Sequence, residues 1–249
     1  MVIDQKRCIG CGICMVYCPA DAIHLTKTEE GTRKAYIEED VCLECGTCIR
    51  ERVVKCPRGA ISERPKKERS IGRQMRRFFS DPSTTHPLTG VPGRGTEEVK
   101  TNDVTERVCR GELGLCLEFG RPVIGTSVRE IEKATRRLAE CGIRLEPCNP
   151  LYDLLEDVEK GTFRPEFLEE RFVSAIVEFT IPFSRGEELL KVCQEIADEV
   201  DTVFSMDMIC CYDADGTNPA LALCQRLGIT VRDNAKVNIG IGRPYQIER

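Results

Sequence analysis

Residues 8–19 read Cys-Ile-Gly-Cys-Gly-Ile-Cys-Met-Val-Tyr-Cys-Pro, and residues 42–48 repeat the start of that pattern as Cys-Leu-Glu-Cys-Gly-Thr-Cys, with Cys-Pro following at 56–57. In each copy three cysteines are separated by two residues. The fourth cysteine follows after three residues in the first copy and after seven in the second. Two such copies indicate one supersecondary unit that occurs twice, with a pseudo-two-fold relation.

The spacing of these cysteines favours iron–sulfur chemistry over zinc. Three thiolates spaced by two residues can wrap one face of a cubane, and the fourth thiolate has to come from elsewhere in the chain. Zinc sites usually pair two Cys-x2-Cys knuckles, so a pair of zinc ribbons is the less favoured alternative. A second alternative is that the clusters only stabilise the fold.

Residues 1–62 resemble the bacterial-type two-[4Fe-4S] ferredoxins, in the branch with an expanded loop in the second motif. The resemblance covers about a quarter of the chain, and it implies two [4Fe-4S] clusters that each take one ligand from the other motif. The implied ligands are Cys8, Cys11, Cys14 and Cys56 for the first cluster and Cys42, Cys45, Cys48 and Cys18 for the second. The longer spacing before Cys56 predicts that the two clusters differ in reduction potential.

The composition of the whole chain limits the functions to be expected of the remaining 187 residues, 63 to 249. The chain has 16 cysteines, two histidines, no tryptophan and a net charge of −5. The few histidines leave little material for imidazole catalysis, and the acidic balance argues against nucleic-acid binding as the default. We find no apolar stretch long enough for a membrane helix and no room for a signal peptide before Cys8, so we expect a soluble, cytoplasmic protein, and the iron–sulfur ligands suggest an anaerobe.

The distribution of cysteines predicts three regions. Eight cysteines precede residue 57, eight follow residue 108, and none lies between. We therefore predict a two-cluster domain at 1–62, a connecting segment at 63–104 and a second domain at 105–249. In the connection, an amphipathic pattern predicts a basic helix with Ile71, Met75, Phe78 and Phe79 on one face and Arg69, Arg73, Arg76 and Arg77 opposite. The favoured interpretation is an apolar side packed on the protein and a solvated basic side; the alternative is docking to an acidic partner or a membrane.

Strand and helix signals alternate in the second domain. Strands are predicted at 108–119, 143–146, 172–181, 203–212 and 236–241, and helices after Ser127, at 151–159, after Ser184 and after Asn218. Ser127 with Glu130, and Ser184 with Glu187, are typical of capping boxes. The overall fold class is therefore α+β, a small two-cluster domain followed by an α/β sandwich of the ferredoxin-like, split βαβ type.

Two features of the second half have open roles. Gly93, Arg94, Gly95, Arg121 and Arg243 form a hypothetical anion site, with ordinary loops and turns as the alternative. The eight later cysteines contain no Cys-x2-Cys pair, and we interpret them mainly as core residues. The alternative is a third metal site, for which Cys109, Cys116 and Cys148 are the candidate ligands.

These observations favour an iron–sulfur electron-transfer protein, or a subunit of an oxidoreductase, working with a redox protein partner that the C-terminal domain docks. No nucleophile–base pair and no Gly-x-Gly-x-x-Gly fingerprint appears, so we name no catalytic residue. In one alternative the C-terminal domain resembles ACT-type regulatory domains in its element order, senses a small ligand and forms a homodimer. In another it is a reductase site fed by the clusters.

Overall fold

The computed structural model describes residues 1–50, 55–84, 108–120 and 124–232. The predicted anion-site residues Gly93, Arg94, Gly95, Arg121 and Arg243 lie outside these ranges, as does the strand predicted at 236–241.

The N-terminal domain is built from short strands around the cysteine motifs. Strands β1 and β4 pair antiparallel, with Val2 opposite Ser62, and β2 and β3 form an antiparallel hairpin. Helix α1 forms a single turn within the first motif, and a 3-10 turn at Thr47–Ile49 occupies the matching place in the second. The bounds are β1 Val2–Ile3, α1 Ile13–Val16, β2 Ile23–Lys27, β3 Arg33–Ile37 and β4 Ile61–Ser62.

Helix α2, Ile71–Ser80, has the length and position that the amphipathic pattern predicts, and a short 3-10 turn at Lys66–Glu68 precedes it. The hydroxyl of Ser70 accepts a hydrogen bond from the backbone N–H of Arg73 at 3.2 Å and caps the helix. Phe79 is buried and stacks on Phe172 with ring centroids 4.4 Å apart. Met75, Phe78 and Phe79 therefore pack on the core of the C-terminal domain, as predicted, whereas Ile71 of the same predicted face is 53% exposed.

The C-terminal domain is centred on a three-stranded antiparallel sheet in the order β10–β5–β11. Leu113, Leu115, Leu117 and Phe119 alternate along β5 and are fully buried in the core. Helices α3 and α4 pack against this core through their apolar faces. The bounds are β5 Glu112–Phe119, β6 Thr126–Ser127, α3 Val128–Glu140, β7 Leu155–Asp157, β8 Thr162–Phe163, β9 Arg171–Phe172, β10 Ala175–Pro182, α4 Gly186–Glu199, β11 Phe204–Ile209 and α5 Pro219–Arg226, with 3-10 turns at Tyr152–Leu154, Pro165–Phe167 and Phe183–Arg185.

The mixed α+β class is confirmed, but the complete split βαβ sandwich stays a prediction. Strands β10 and β11 both run antiparallel to β5, so they are parallel to each other, and α4 connects them across it. The second such unit needs a strand at 143–146, and that segment is not a strand. Its Glu146 N–H donates one hydrogen bond of 2.8 Å to the Glu178 carbonyl on β10. One contact beside a strand is too little to form a ladder.

Three further local predictions are wrong. The helix predicted at 151–159 is a 3-10 turn followed by β7. Ser127 is the N-cap residue of α3 but its side chain makes no capping bond, and α4 begins after Arg185 rather than after Ser184. Asn218 does cap α5, because its side-chain oxygen accepts from the N–H groups of Ala220 and Leu221.

Candidate metal centre

Four cysteine thiols from both motifs meet at one void in the N-terminal domain. We call Cys8, Cys11, Cys14 and Cys56 the first thiol set; all four line this void, together with Gly12, Ala35 and Ala60. The void spans ≈ 370 Å³ including its open mouth. Cys56 lies more than forty residues after Cys14 in the chain, so the fold brings it to the first motif.

Cys18, Cys42, Cys45 and Cys48, the second thiol set, also lie together. Burial, together with the negative charges of nearby Cys42, Cys45 and Cys18, raises the pKa of the Cys48 thiol to about 12. Cys18 thus reaches the second motif as Cys56 reaches the first.

Among the described residues, no three His, Cys, Asp or Glu side chains are placed to hold a single metal ion. Neither thiol set therefore forms a single-ion site in the described residues.

Backbone N–H groups point at the two thiols that cross between motifs. Ala22 N–H donates to Cys18 Sγ at 3.2 Å and Ala60 N–H donates to Cys56 Sγ at 3.3 Å. Burial alone would raise the pKa of Cys56, but N–H groups of residues 58 to 61 outweigh it and lower that pKa. Burial raises the pKa of Cys14, and its neighbouring thiols add to the rise. Crowded thiols that favour protonation need a positive group among them to be thiolates together, and this donor set fits a sulfur-ligated iron cluster.

The internal repeat is visible in the backbone as three matched left-handed positions. Gly10 and Glu44 have φ of 66° and 55°, Gly12 and Gly46 have 78° and 73°, and Asp21 and Gly59 have 50° and 53°. A Cβ on Gly10 would lie 2.2 Å from the carbonyl oxygen of Arg33, so only glycine fits there. At the matching position the second copy carries Glu44.

Glu44 is a fully buried carboxylate between two cysteines of the second thiol set. Its Oε1 accepts from the amino group of Met1 at 2.8 Å and from Arg73 Nη1 at 2.8 Å. Burial opposes ionisation, but these two cations outweigh it and lower the pKa of Glu44. The carboxylate therefore stays charged and ties α2 to the second motif.

The basic side of α2 is not solvated, which corrects the favoured interpretation. Arg76 is 5% exposed, and its guanidinium donates to the carbonyls of Glu39, Asp40 and Cys42 and pairs with Glu170 at 2.5 Å.

Arg77 pairs with Asp81, which also binds Arg50 at 3.0 Å. Arg50 in turn donates to the Cys45 carbonyl at 2.7 Å. Amphipathicity shows which residues share a face, and the partners of that face come from this chain itself: the N-terminal domain, Glu63 and Asp81 beside the helix, and Glu170 of the C-terminal domain.

The later cysteines include the candidate ligands of a third metal site. Cys109, Cys116 and Cys148 all lie in the described ranges, and they do not form a single-ion site there. Cys116 is buried on β5 with its Sγ 3.6 Å from Asp207 Oδ2. Cys193 and Cys224 are buried, as the core interpretation expects, whereas Cys109, Cys141, Cys148, Cys210 and Cys211 are partly exposed.

The comparisons with known proteins concern the N-terminal domain. The sequence model of the 4Fe-4S dicluster domain matches residues 7–51. A ferredoxin of Hydrogenibacillus schlegelii, named a 7Fe ferredoxin, is 39% identical over 82 residues, which are 31% of this chain and 94% of that protein. The chain belongs to the ferredoxin family through its N-terminal domain.

Two further relatives match the ferredoxin domain, one named a ferredoxin and the other a subunit of an enzyme. An uncharacterized ferredoxin of Methanocaldococcus jannaschii is 36% identical over 61 residues, 24% of this chain and 73% of the relative. The pyruvate synthase subunit PorD of Thermotoga maritima is 34% identical over 67 residues, 27% of this chain and 60% of PorD. No solved structure matches the chain significantly. The ferredoxin domain thus carries iron–sulfur chemistry, and these relatives leave the C-terminal domain unplaced.

None of the helices in the described ranges is both long and apolar enough to cross a membrane.

Proposed function

We propose that this chain is an electron-transfer protein, or a subunit of an oxidoreductase, that passes electrons through two [4Fe-4S] clusters to or from a partner enzyme. The observation that carries the proposal is the meeting of four thiols from two motifs at one void. The PorD relative supports an oxidoreductase partner, since it is named as a subunit of pyruvate synthase.

The two thiol sets are the proposed ligands. Cys8, Cys11, Cys14 and Cys56 would hold one cluster, and Cys18, Cys42, Cys45 and Cys48 the other. Each cluster supplies reversible one-electron storage. The chain holds these thiols in place through the left-handed turns, and N–H groups such as those of Ala22 and Ala60 stabilise negative charge at sulfur.

Native mass spectrometry of protein purified without oxygen tests the proposal directly. We expect the mass of the 28.0 kDa chain plus two four-iron clusters, with or without a partner protein. A mass with zinc in place of iron and sulfide would overturn it. Extra mass retained on the C-terminal half would instead support the sensor or reductase alternative for that domain, and a doubled mass would support the homodimer.

Substitution of the crossing cysteines tests the ligand sets. In the Cys56→Ser variant we expect the cluster signal of the first set to be lost or converted, with the second set retaining four irons, because one thiolate ligand is removed. The control is Cys148→Ser, a partly exposed cysteine outside both sets, which should retain the full iron content. Iron and sulfide analysis with electron paramagnetic resonance of the reduced proteins gives the count, and full iron in Cys56→Ser would contradict the assignment.

A further inference from the structure

An exposed apolar surface adjoins the first thiol set. Ile9 and Ile13 line the same void as the four cysteines and are 59% and 41% exposed. Val16 and Tyr17 follow Ile13 on the same side of α1, by three and four residues, and are 83% and 45% exposed. We call these four residues the first-site face. A cluster of large apolar side chains around one opening is typical of an interaction surface.

The second thiol set has a different environment. Arg76 of α2 donates to the Cys42 carbonyl at 2.9 Å in a buried contact. Leu43 is 2% exposed, and a Cβ placed on Gly125 of the C-terminal domain would lie 3.1 Å from its Cδ2. Among the residues that the structure describes, the chain therefore covers the second motif and leaves the first-site face exposed.

Four cations lie in the segments that border this face, although the chain as a whole is acidic. Arg7 precedes Cys8, Arg58 lines the void, and the carbonyl of Arg33 contacts Gly10. Lys6, Arg7, Arg33 and Arg58 are all exposed, and none of them forms an ion pair with a residue in the described ranges. An apolar centre with an unneutralised basic rim is complementary to a partner with an apolar centre and an acidic rim.

We infer that the first-site face is the docking surface for a one-electron redox protein whose own docking face is apolar with an acidic rim. The inference rests on the proposed function, because it requires a redox-active group at the first thiol set. It adds that exchange with an external partner takes place on this side, with the second set facing the C-terminal domain.

An acidic flavodoxin is the probe. In each transfer the reduced full-length protein loses one electron and the flavin mononucleotide of one flavodoxin gains one, and the absorbance of the flavin follows the reaction. Binding of the two oxidised proteins is measured separately by biolayer interferometry. Val16→Asp should raise the apparent Kd about tenfold, because it places a charge in the centre of the docking surface. Lys6→Glu should slow association about threefold at low salt, with the difference shrinking as salt is added.

The matched control is Leu221→Asp, at an apolar residue of α5 that is 47% exposed. This variant should bind and react like the wild type. Weaker binding in Leu221→Asp but not in Val16→Asp, or no binding of flavodoxin by the wild type, would overturn the inference. So would binding to phosphatidylglycerol vesicles that Val16→Asp abolishes, since the face would then be a membrane surface.

A second measurement separates this inference from the proposed function. Reduced methyl viologen, which gives up one electron per molecule, should reduce the oxidised protein at the same rate in the wild type and in Val16→Asp, since a small dye needs no docking surface. Failure of all variants to exchange electrons with the dye would disprove the proposed function itself. Equal dye rates with equal flavodoxin affinities would disprove only the docking surface.

Discussion

At the scale of the residue, the most consequential difference between the two copies of the motif is Glu44, which occupies the position of Gly10 in the first copy. Its backbone is left-handed like that of Gly10, a conformation that costs a non-glycine residue about 1 kcal/mol. In exchange its buried carboxylate binds Arg73 and the Met1 amino group. Breaking a buried charge pair costs about 3–5 kcal/mol, so the pairing outweighs the backbone strain.

Glu44→Gly should therefore destabilise the protein even though it relieves strain. The expected net loss is about 2 kcal/mol, which corresponds to a fall of about 4–8 °C in the Tm of the cluster-loaded protein. The control is Asp21→Gly, at another left-handed non-glycine position of this domain with φ of 50°, where the side chain is exposed and has no ion pair in the described ranges. It should be neutral or slightly stabilising. Equal Tm values for the two variants would show that Glu44 does not anchor α2.

The later cysteines give a second prediction at this scale. Burial raises the pKa of Cys193 to about 12, so at pH 8 its thiolate fraction is on the order of one in ten thousand. In the native protein iodoacetamide should therefore leave Cys193 unmodified while it labels the partly exposed Cys148. Mass spectrometry of peptides after timed labelling measures both. Labelling of Cys193 at the rate of Cys148 would contradict its placement in the core.

At the scale of the element, α2 shows both what periodicity predicts and where it stops. The 3.6-residue pattern predicted the helix correctly, and three of its four apolar residues pack on the core, whereas Ile71 is exposed. It does not contain the partner of the basic side, because Glu39 and Glu170 lie far from the helix in sequence and meet it only through the fold. The strand predicted at 143–146 fails for a similar reason: its residues favour a strand, but pairing is decided by neighbours that only the fold provides.

Arg76→Met should loosen the attachment of α2 on both sides. It removes the donors to the carbonyls near Cys42 and leaves the Glu170 carboxylate without its cation, for an expected loss of about 3 kcal/mol. Hydrogen exchange should show faster exchange of α2 amides and of residues 39–44. Arg136→Met is the matched control, since Arg136 pairs with Glu132 on the exposed surface of α3 and should lose less than about 1 kcal/mol. Unchanged exchange in Arg76→Met would refute the bridging role.

At the scale of the whole molecule, the two domains differ in what supports them. Among the described residues, the C-terminal core joins 28 buried residues from the sheet, its helices and α2. The two apolar groups of the ferredoxin domain contain, over the same described ranges, five and three buried residues, and cysteines of the thiol sets make up three of these eight. The ferredoxin domain could be predicted from the sequence, because ligation of an iron–sulfur cluster dictates the spacing of its cysteines. The C-terminal domain has no such signature, so its class could be predicted but its pairing and its role could not.

Removal of the clusters should therefore unfold one domain and spare the other. After treatment with a chelator and an oxidant, amides of residues 1–62 should lose protection from hydrogen exchange, because a domain this small has too little apolar core to fold alone. Amides of β5 and α3 should stay protected. Protection of β2 and β3 in the apoprotein would show that the domain does not depend on its clusters.

The partners of Arg76 lie on both sides of it in the sequence, so they become available to it at different times during synthesis of the chain. Its N-terminal-domain partners, residues 39–42, precede it and have left the ribosome before it, whereas Glu170 follows 94 residues later. At about 5–20 residues per second that interval is roughly 5–20 s. During that interval the nascent chain contains the cysteines of both thiol sets and helix α2, which covers the second set in the folded protein. The C-terminal surface on which α2 finally packs has not yet been synthesised.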